Sequence, residues 1–402
     1  MLSTSFASLR RHSRHEIRTQ KTSRKAQIAM KQLTQLHIEG FRSIKKAEIE
    51  LRALNVLIGA NGAGKSNLID FFRMLNYALS RGFQSTYIPD RGPASRILHF
   101  GSDRTPMIQA ALKFRTDAGN NFYRFTLARV KQDDTFIFTE EEVQYHADVY
   151  ERPTPPIPLG PGGHRESGLA EAWTPDSPTV RFIKHLIGGC RVYQFHDTNV
   201  DSYLRSKPYL DDNRYLRADG GNLPAILFRI KDQYPDYYAD ILRNLQAVLP
   251  WLDGFVLEPE GPRDRQLIGL RWRAVGHPDY DFVAGQLSDG SLRIIALVTL
   301  LLLPDDLLPD LLIIDEPELG LHPAAEQVIA GLIKYVSRTR QVIVSTQSST
   351  FIDHYNADDI IVVENENGES NFKRQSSDEL ANWLERYTLS QIWSKNLIGG
   401  RP

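Results

Sequence analysis

Hydrophobic positions along the chain follow two different rhythms. Near the start, Leu36 and Ile38 alternate with Gln35, His37 and Glu39, the period-two pattern of a half-buried strand. Phe41-Arg42-Ser43-Ile44 turns the chain, and Ile49 and Leu51 alternate again. Leu54-Asn55-Val56-Leu57-Ile58 is instead a nearly continuous apolar run, as expected of a strand covered on both faces. Ser66 to Leu79 places Leu68, Phe71, Phe72, Leu75 and Leu79 at helical spacing. From about residue 80 to 284 the rhythm changes. Met107 to Phe114, Phe122 to Arg129 and Phe136 to Tyr145 read as an antiparallel meander. Glu151 to Pro178 is rich in Pro and Gly and reads as a loop. Val180 to Ile187 reads as a helix and Arg191 to Phe195 as a strand. Leu223 to Ile230 and Tyr238 to Leu249 read as helices, and Leu267 to Trp272 as a strand. From residue 285 buried strands and helices alternate again. Helices are expected at Ser291 to Leu303 and Ala324 to Val336, and strands at Leu311 to Ile314, Gln341 to Ser345 and Ile360 to Val363. Leu380, Trp383, Leu384 and Tyr387 share one face of a last helix. The expected fold is α/β, with a mixed central sheet, an antiparallel β lobe and a helical insertion. Sustained heptads are absent, so no long coiled coil is expected.

Composition adds limits. The 402 residues are 41% hydrophobic, ordinary for a globular chain able to bury a sizeable core. Cys190 is the only cysteine, which excludes an intramolecular disulfide and a cysteine-based zinc site and fits a reducing cytoplasm. No run reaches the roughly 18 apolar residues of a membrane span. The net charge of −1 hides an asymmetry: Arg10, Arg11, Arg14, Arg18, Lys21, Arg24 and Lys25 face only Glu16 before Met30. The remainder is therefore mildly acidic, which argues against a body coated for DNA. Residues 1–29 read as a disordered basic leader ahead of a start at Met30. A nucleic-acid arm or a targeting segment rich in Arg and Ser are the alternatives.

Chemistry concentrates in two places. Gly59-Ala60-Asn61-Gly62-Ala63-Gly64-Lys65-Ser66 matches G-x-x-x-x-G-K-S in full, with a strand before it and a helix after it. The glycines let backbone N–H groups wrap a phosphate at a helix N-terminus. Lys65 is expected to supply positive charge near the β- and γ-phosphates of ATP, Ser66 to ligate Mg²⁺, and Asn67 to extend the binding turn. The second place is Leu311-Leu312-Ile313-Ile314-Asp315-Glu316. A buried strand ends there in two carboxylates, where open α/β sheets bind ligands. Asp315 is expected on Mg²⁺ and Glu316 as the general base for water. Pro317 should keep Glu316 extended.

Leu287-Ser288-Asp289-Gly290-Ser291 can cap a helix. At its spacing before Asp315 it also resembles the signature motif of ABC-type ATPases. That resemblance implies that Ser288 and Gly290 close over the γ-phosphate held by a second copy, so a homodimer forms on ATP. Gln347 stands where those ATPases usually carry a switch histidine; it can hydrogen-bond phosphate or water but carries no proton. Glu318-Leu319-Gly320-Leu321-His322-Pro323 resembles the loop after their catalytic glutamate, and His322 is a candidate contact to the second copy. The sensor glutamine is assigned to Gln194, with His196 as its rival.

Taken in order, these motifs resemble AAA-type ATPases of the RecF/OLD/SMC kind. Ile38-Glu39-Gly40-Phe41-Arg42-Ser43-Ile44, Asp212-Asn213-Arg214-Tyr215-Leu216-Arg217, Gly220-Gly221-Asn222-Leu223, Leu257-Glu258-Pro259-Glu260 and Ile398-Gly399-Gly400-Arg401-Pro402 resemble one bacterial subgroup. The resemblance implies a single head domain over 31–402, with 80–284 inserted between its two motif-bearing parts. It implies Mg²⁺-dependent ATP hydrolysis driving a dimerising switch in DNA repair or anti-phage defence. DNA is a candidate partner. The last residues lack a clustered acidic nuclease motif, so a nuclease-like effector is expected on a separate protein. The ATPase subunit of a membrane transporter and a scaffold with little turnover are the competing readings.

Overall fold

The computed structural model describes residues 31–171 and 176–401; the basic leader lies outside the described residues. In chain order the lobe strands β1 (Gln32–Phe41) and β2 (Ile44–Glu50) come first. Strand β3 (Leu54–Ile58) and helix α1 (Lys65–Leu79) follow. Then come β4 (Met107–Thr116), β5 (Gly119–Val130), β6 (Thr135–Ala147), β7 (Ile157–Pro158), α2 (Pro178–Gly188) and β8 (Cys190–Tyr193). The helical part carries α3 (Leu223–Gln233), α4 (Pro235–Val248), β9 (Leu252–Val256), β10 (Pro259–Glu260), β11 (Leu267–Ile268), β12 (Arg271–Ala274) and β13 (His277–Val283). The chain closes with α5 (Asp289–Leu301), β14 (Leu311–Asp315), α6 (Pro323–Val336), β15 (Gln341–Ser345), β16 (Ile360–Glu366), β17 (Glu369–Arg374) and α7 (Leu389–Ser394).

The central sheet has the order β17-β16-β3-β15-β14-β8. Its neighbours are parallel except for the antiparallel edge strand β17. The antiparallel lobe runs β2-β1-β4-β5-β6-β7, so it draws strands from both sides of the phosphate loop. Side-chain alternation across the central sheet divides the interior in two. Leu57, Ile313, Ile343 and Ile361 pack with α1, α2 and the lobe. Val56, Ile58, Leu312, Ile314, Val342 and Val344 pack with α3 to α7. Burial on both faces explains why these strands read as unbroken apolar runs. Buried Gln341 joins sheet to lobe: its side chain accepts from the Leu33 N–H at 2.9 Å and donates to the Leu33 and Arg52 carbonyls at 2.8 and 2.9 Å.

Three local expectations differ from the structure. Leu267 to Trp272 is split, because β11 pairs with β10 while β12 pairs with β9. The Pro-rich loop contributes β7 to the lobe edge. The final amphipathic face is helical only over Ala381–Leu384, with Leu380 buried and Trp383 exposed. Among the described residues no helix is long and apolar enough to cross a membrane.

Candidate nucleotide site

Strand order creates the site. The phosphate loop leaves the C-terminal end of β3, and β14 and β15 end beside each other with Asp315 opposite Ser345. Parallel sheets gather ligands at that edge. The loop's path depends on glycine. At Gly59 (φ 156°) a Cβ would lie 2.2 Å from the Val363 carbonyl oxygen. At Gly64 (φ 117°) it would lie 2.0 Å from Ser370 Oγ. Ser370 Oγ donates to the Ala63 carbonyl at 2.6 Å and shares a hydrogen bond with Ser43 Oγ at 2.6 Å. Asn67 donates to Ser43 Oγ at 2.5 Å. The far end of the chain braces the same loop. A Cβ on Gly400 would lie 3.5 Å from Gly59 Cα, and buried Trp393 donates to the Gly400 carbonyl at 2.7 Å. Asn61, Gly62 and Ser66 remain exposed at the mouth, where α1 begins.

Lys65 is buried, and its ammonium donates to the Gly59 and Ala60 carbonyls at 2.5 and 3.1 Å. Burial lowers its pKa, while Glu316, Asp315 and Glu318 oppose that shift. The lysine and the three carboxylates thus form one electrostatic unit, although the chain separates them widely. Burial raises the Asp315 pKa, countered by His196, Arg73 and a hydrogen bond from Ser345. His196 Nε2 lies 3.0 Å from the Asp315 carbonyl oxygen. A carbonyl only accepts, so Nε2 carries the proton, and in the neutral ring Nδ1 accepts from Gln194 at 3.0 Å. Arg73 donates to Gln194 Oε1 at 2.7 Å. The rivals Gln194 and His196 are therefore links of one directed chain from Arg73 to Asp315.

Glu316 is a correction. Pro317 does exclude right-handed helix, but the residue takes φ 46°, in the left-handed region, and is not extended. Such a conformation costs about 1–3 kcal/mol for a non-glycine residue. The Glu316 N–H donates to the Ser345 carbonyl at 2.8 Å, and its carboxylate accepts from the Gln347 side-chain amide. Glu318, left without a role by its sequence context, is buried. It accepts from Thr346 Oγ1 at 2.5 Å and from the Gln347 N–H at 3.4 Å. Burial pushes its carboxyl up to about 7.

Ser288 caps α5, accepting from the Ser291 N–H at 3.2 Å. Asp289 pairs with Arg205 at 2.9 Å. Arg205 also donates to the Thr198, Ala284 and Leu287 carbonyls, which pins the turn ahead of α5. Arg293, one turn into α5, donates to the Phe195, His196 and Leu319 carbonyls. A Cβ on Gly290 would lie 2.9 Å from the Gly320 carbonyl oxygen. His322 is exposed and caps α6, accepting from the Ala324 N–H at 3.3 Å. The side-chain hydrogen bonds of Ser288 stay within its own helix start.

Sequence reasoning missed Glu318, Arg73, Ser370, Arg205 and Arg293 as site-building residues. Only Glu318 carried a signal, its place in Glu316-Pro317-Glu318. The donor set fits a magnesium nucleotide: a loop whose path leaves no room for a Cβ at Gly59 or Gly64, a buried lysine, the Ser66 hydroxyl and the Asp315 carboxylate.

The family model described as "AAA domain, putative AbiEii toxin, Type IV TA system" matches residues 54–353. Solved structures share the fold at low identity. An Smc head bound to the C-winged helix domain of ScpA has TM-score 0.54 and 17% identity, over 87% of this chain and 99% of that one. An Smc head domain with an extended coiled coil, bound to the C-terminal domain of ScpA, from Pyrococcus furiosus, has TM-score 0.54 and 17% identity, over 89% and 99%. An Smc head domain with a coiled coil and joint, from Pyrococcus yayanosii, has TM-score 0.51 and 13% identity, over 89% and 99%. A comparison with curated proteins returned no match.

Proposed function

Because the chain belongs to this AAA-domain family, we propose that it hydrolyses ATP and works as an ATP-gated dimerising switch, in DNA repair or anti-phage defence, beside a separate nuclease-like effector. The observation that carries the reading is the buried Lys65 set against Asp315, Glu316 and Glu318 at the mouth of a glycine-built phosphate loop. Backbone N–H groups of Asn61 to Ser66 and the Lys65 ammonium hold the β- and γ-phosphates. Ser66 and Asp315 would hold Mg²⁺, which would supply positive charge to offset that of the phosphates. Glu316 orients water and accepts its proton, and the Gln347 amide fixes the Glu316 carboxylate. Exposed Ser288 and half-buried Gly290, at the start of α5, supply donors to the nucleotide of a second copy.

The test measures phosphate release, nucleotide affinity and native mass with and without ATP. Lys65→Ala is expected to lose ATP binding and turnover. Glu316→Gln is expected to bind ATP and accumulate as a dimer. ATP binding by Lys65→Ala equal to wild type, or a monomeric ATP-bound Glu316→Gln, overturns the reading.

A further inference from the structure

Two buried glutamates in this chain are satisfied to different degrees. Glu141, in the lobe, has both oxygens engaged, by Tyr123 at 2.6 Å, Ser167 at 2.6 Å, the Gly168 N–H at 2.7 Å and His164 at 2.8 Å. That is what a purely structural carboxylate requires, since an unpaired buried oxygen is costly. Glu318 is only 8% exposed. Its Oε1 takes both donors, Thr346 Oγ1 and the Gln347 N–H, while Oε2 is buried without a hydrogen-bond partner. Its neighbours in the field are Lys65 from α1, Glu316 from its own turn and Tyr355 from the segment before β16. The Tyr355 hydroxyl is buried and also lacks a partner.

The consequence lies at Gln347. Its side-chain amide donates to Glu316 and its main-chain N–H donates to Glu318. The glutamates flanking Pro317 therefore hold this one residue at its two ends. We propose that Glu318 is a positioning residue for hydrolysis: ionised, it anchors the Gln347 main chain so that the Gln347 amide holds the Glu316 carboxylate in place. The inference rests on the ATPase reading above and adds the proton dependence of that same site. A charged acceptor binds its donors roughly twice as strongly as a neutral one, so protonation of Glu318 loosens the anchor. Burial places that protonation near neutral pH, and Gln347, an amide, has no titration of its own there.

The experiment is phosphate release at saturating and limiting ATP across the pH range around neutrality, with the full chain. Wild-type kcat is expected to rise with pH through an inflection at about 7. Glu318→Gln should lower kcat about tenfold, leave KM within about twofold and abolish the inflection. Thr346→Val removes a donor that favours the ionised form and should move the inflection upward. It decides the matter if Glu318→Gln loses its thermal unfolding transition. Wild-type kcat in Glu318→Gln, a reduced kcat with the inflection retained, or an unmoved inflection in a well-folded Thr346→Val each overturns the inference. If wild type binds ATP no better than Lys65→Ala and releases no phosphate, the ATPase reading itself fails and takes this inference with it.

Discussion

The phosphate loop and the carboxylate face opposite it are held together by different means. The loop is shaped by backbone and braced by small groups: Gly59 against the Val363 carbonyl, Gly64 against Ser370, and Ser43 linked to Asn67. The carboxylate face is built from side chains that grip one another: Glu316 with Gln347, Glu318 with Thr346, His196 with Gln194 and Asp315. Backbone shape does not titrate, so the loop's N–H groups are the same donors at any moderate pH. A face made of buried carboxylates changes with each proton it takes up. On the proposed function, that difference assigns affinity to the loop and rate to the carboxylate face.

The largest expected effect is on the side-chain face. Glu316→Gln should reduce kcat by about a thousandfold while nucleotide affinity stays within a few fold of wild type, because removing a general base typically costs 10²–10⁴-fold. Single-turnover hydrolysis beside equilibrium nucleotide binding checks this; a matching loss of affinity would erase the division between the faces. Gly59→Ala attacks the backbone side. Its Cβ meets a main-chain oxygen that cannot move alone, so a loss of about 2–3 kcal/mol is expected in denaturant unfolding, with weakened ATP binding.

A smaller effect separates the faces by pH. Burial raises the Glu318 pKa from the usual carboxylate range, about 4.3, to about 7. Its contribution to stability is therefore full below the unfolded-state pKa and is lost as pH rises through about 7. Glu318→Gln, which stays neutral, should become progressively more stable relative to wild type between about pH 5 and about pH 8. Unfolding midpoints at the two ends read this directly, and a constant difference removes Glu318 from the account. Ser370→Ala is the mildest change. It deletes the hydroxyl that donates to the Ala63 carbonyl and should cost about 1 kcal/mol, with an affinity loss but no change in the pH profile of kcat.

Most of the fold was legible because its signals are local. The apolar runs of β3, β14, β15 and β16 are what strands covered on both faces must look like, and the glycine-rich loop lies between a strand and a helix within a few residues. The meander of β4, β5 and β6 showed in period-two alternation. Where expectation and structure part, pairing rather than pattern decides. Leu267 to Trp272 satisfies a strand pattern, yet Ile268 and Trp272 pair in register with different strands on either side of Gly269 and Leu270. Glu316 satisfies the pre-proline rule by turning left-handed, because its N–H is claimed by Ser345 on the next strand.

Sequence alone determined the chemistry of this protein's two motifs: a loop able to wrap phosphate and a strand ending in two carboxylates. It could do so because each needs only consecutive residues and the periodicity of one element. Tertiary structure alone decided that β3 and β14 both flank β15, which sets Lys65 against Asp315 and Glu316. It likewise decided that Gly400 packs beside Gly59, that Arg205 takes Asp289, and that Glu318 reaches Gln347. These are meetings between distant segments, set by crossovers and strand order, and no run of neighbouring residues encodes them.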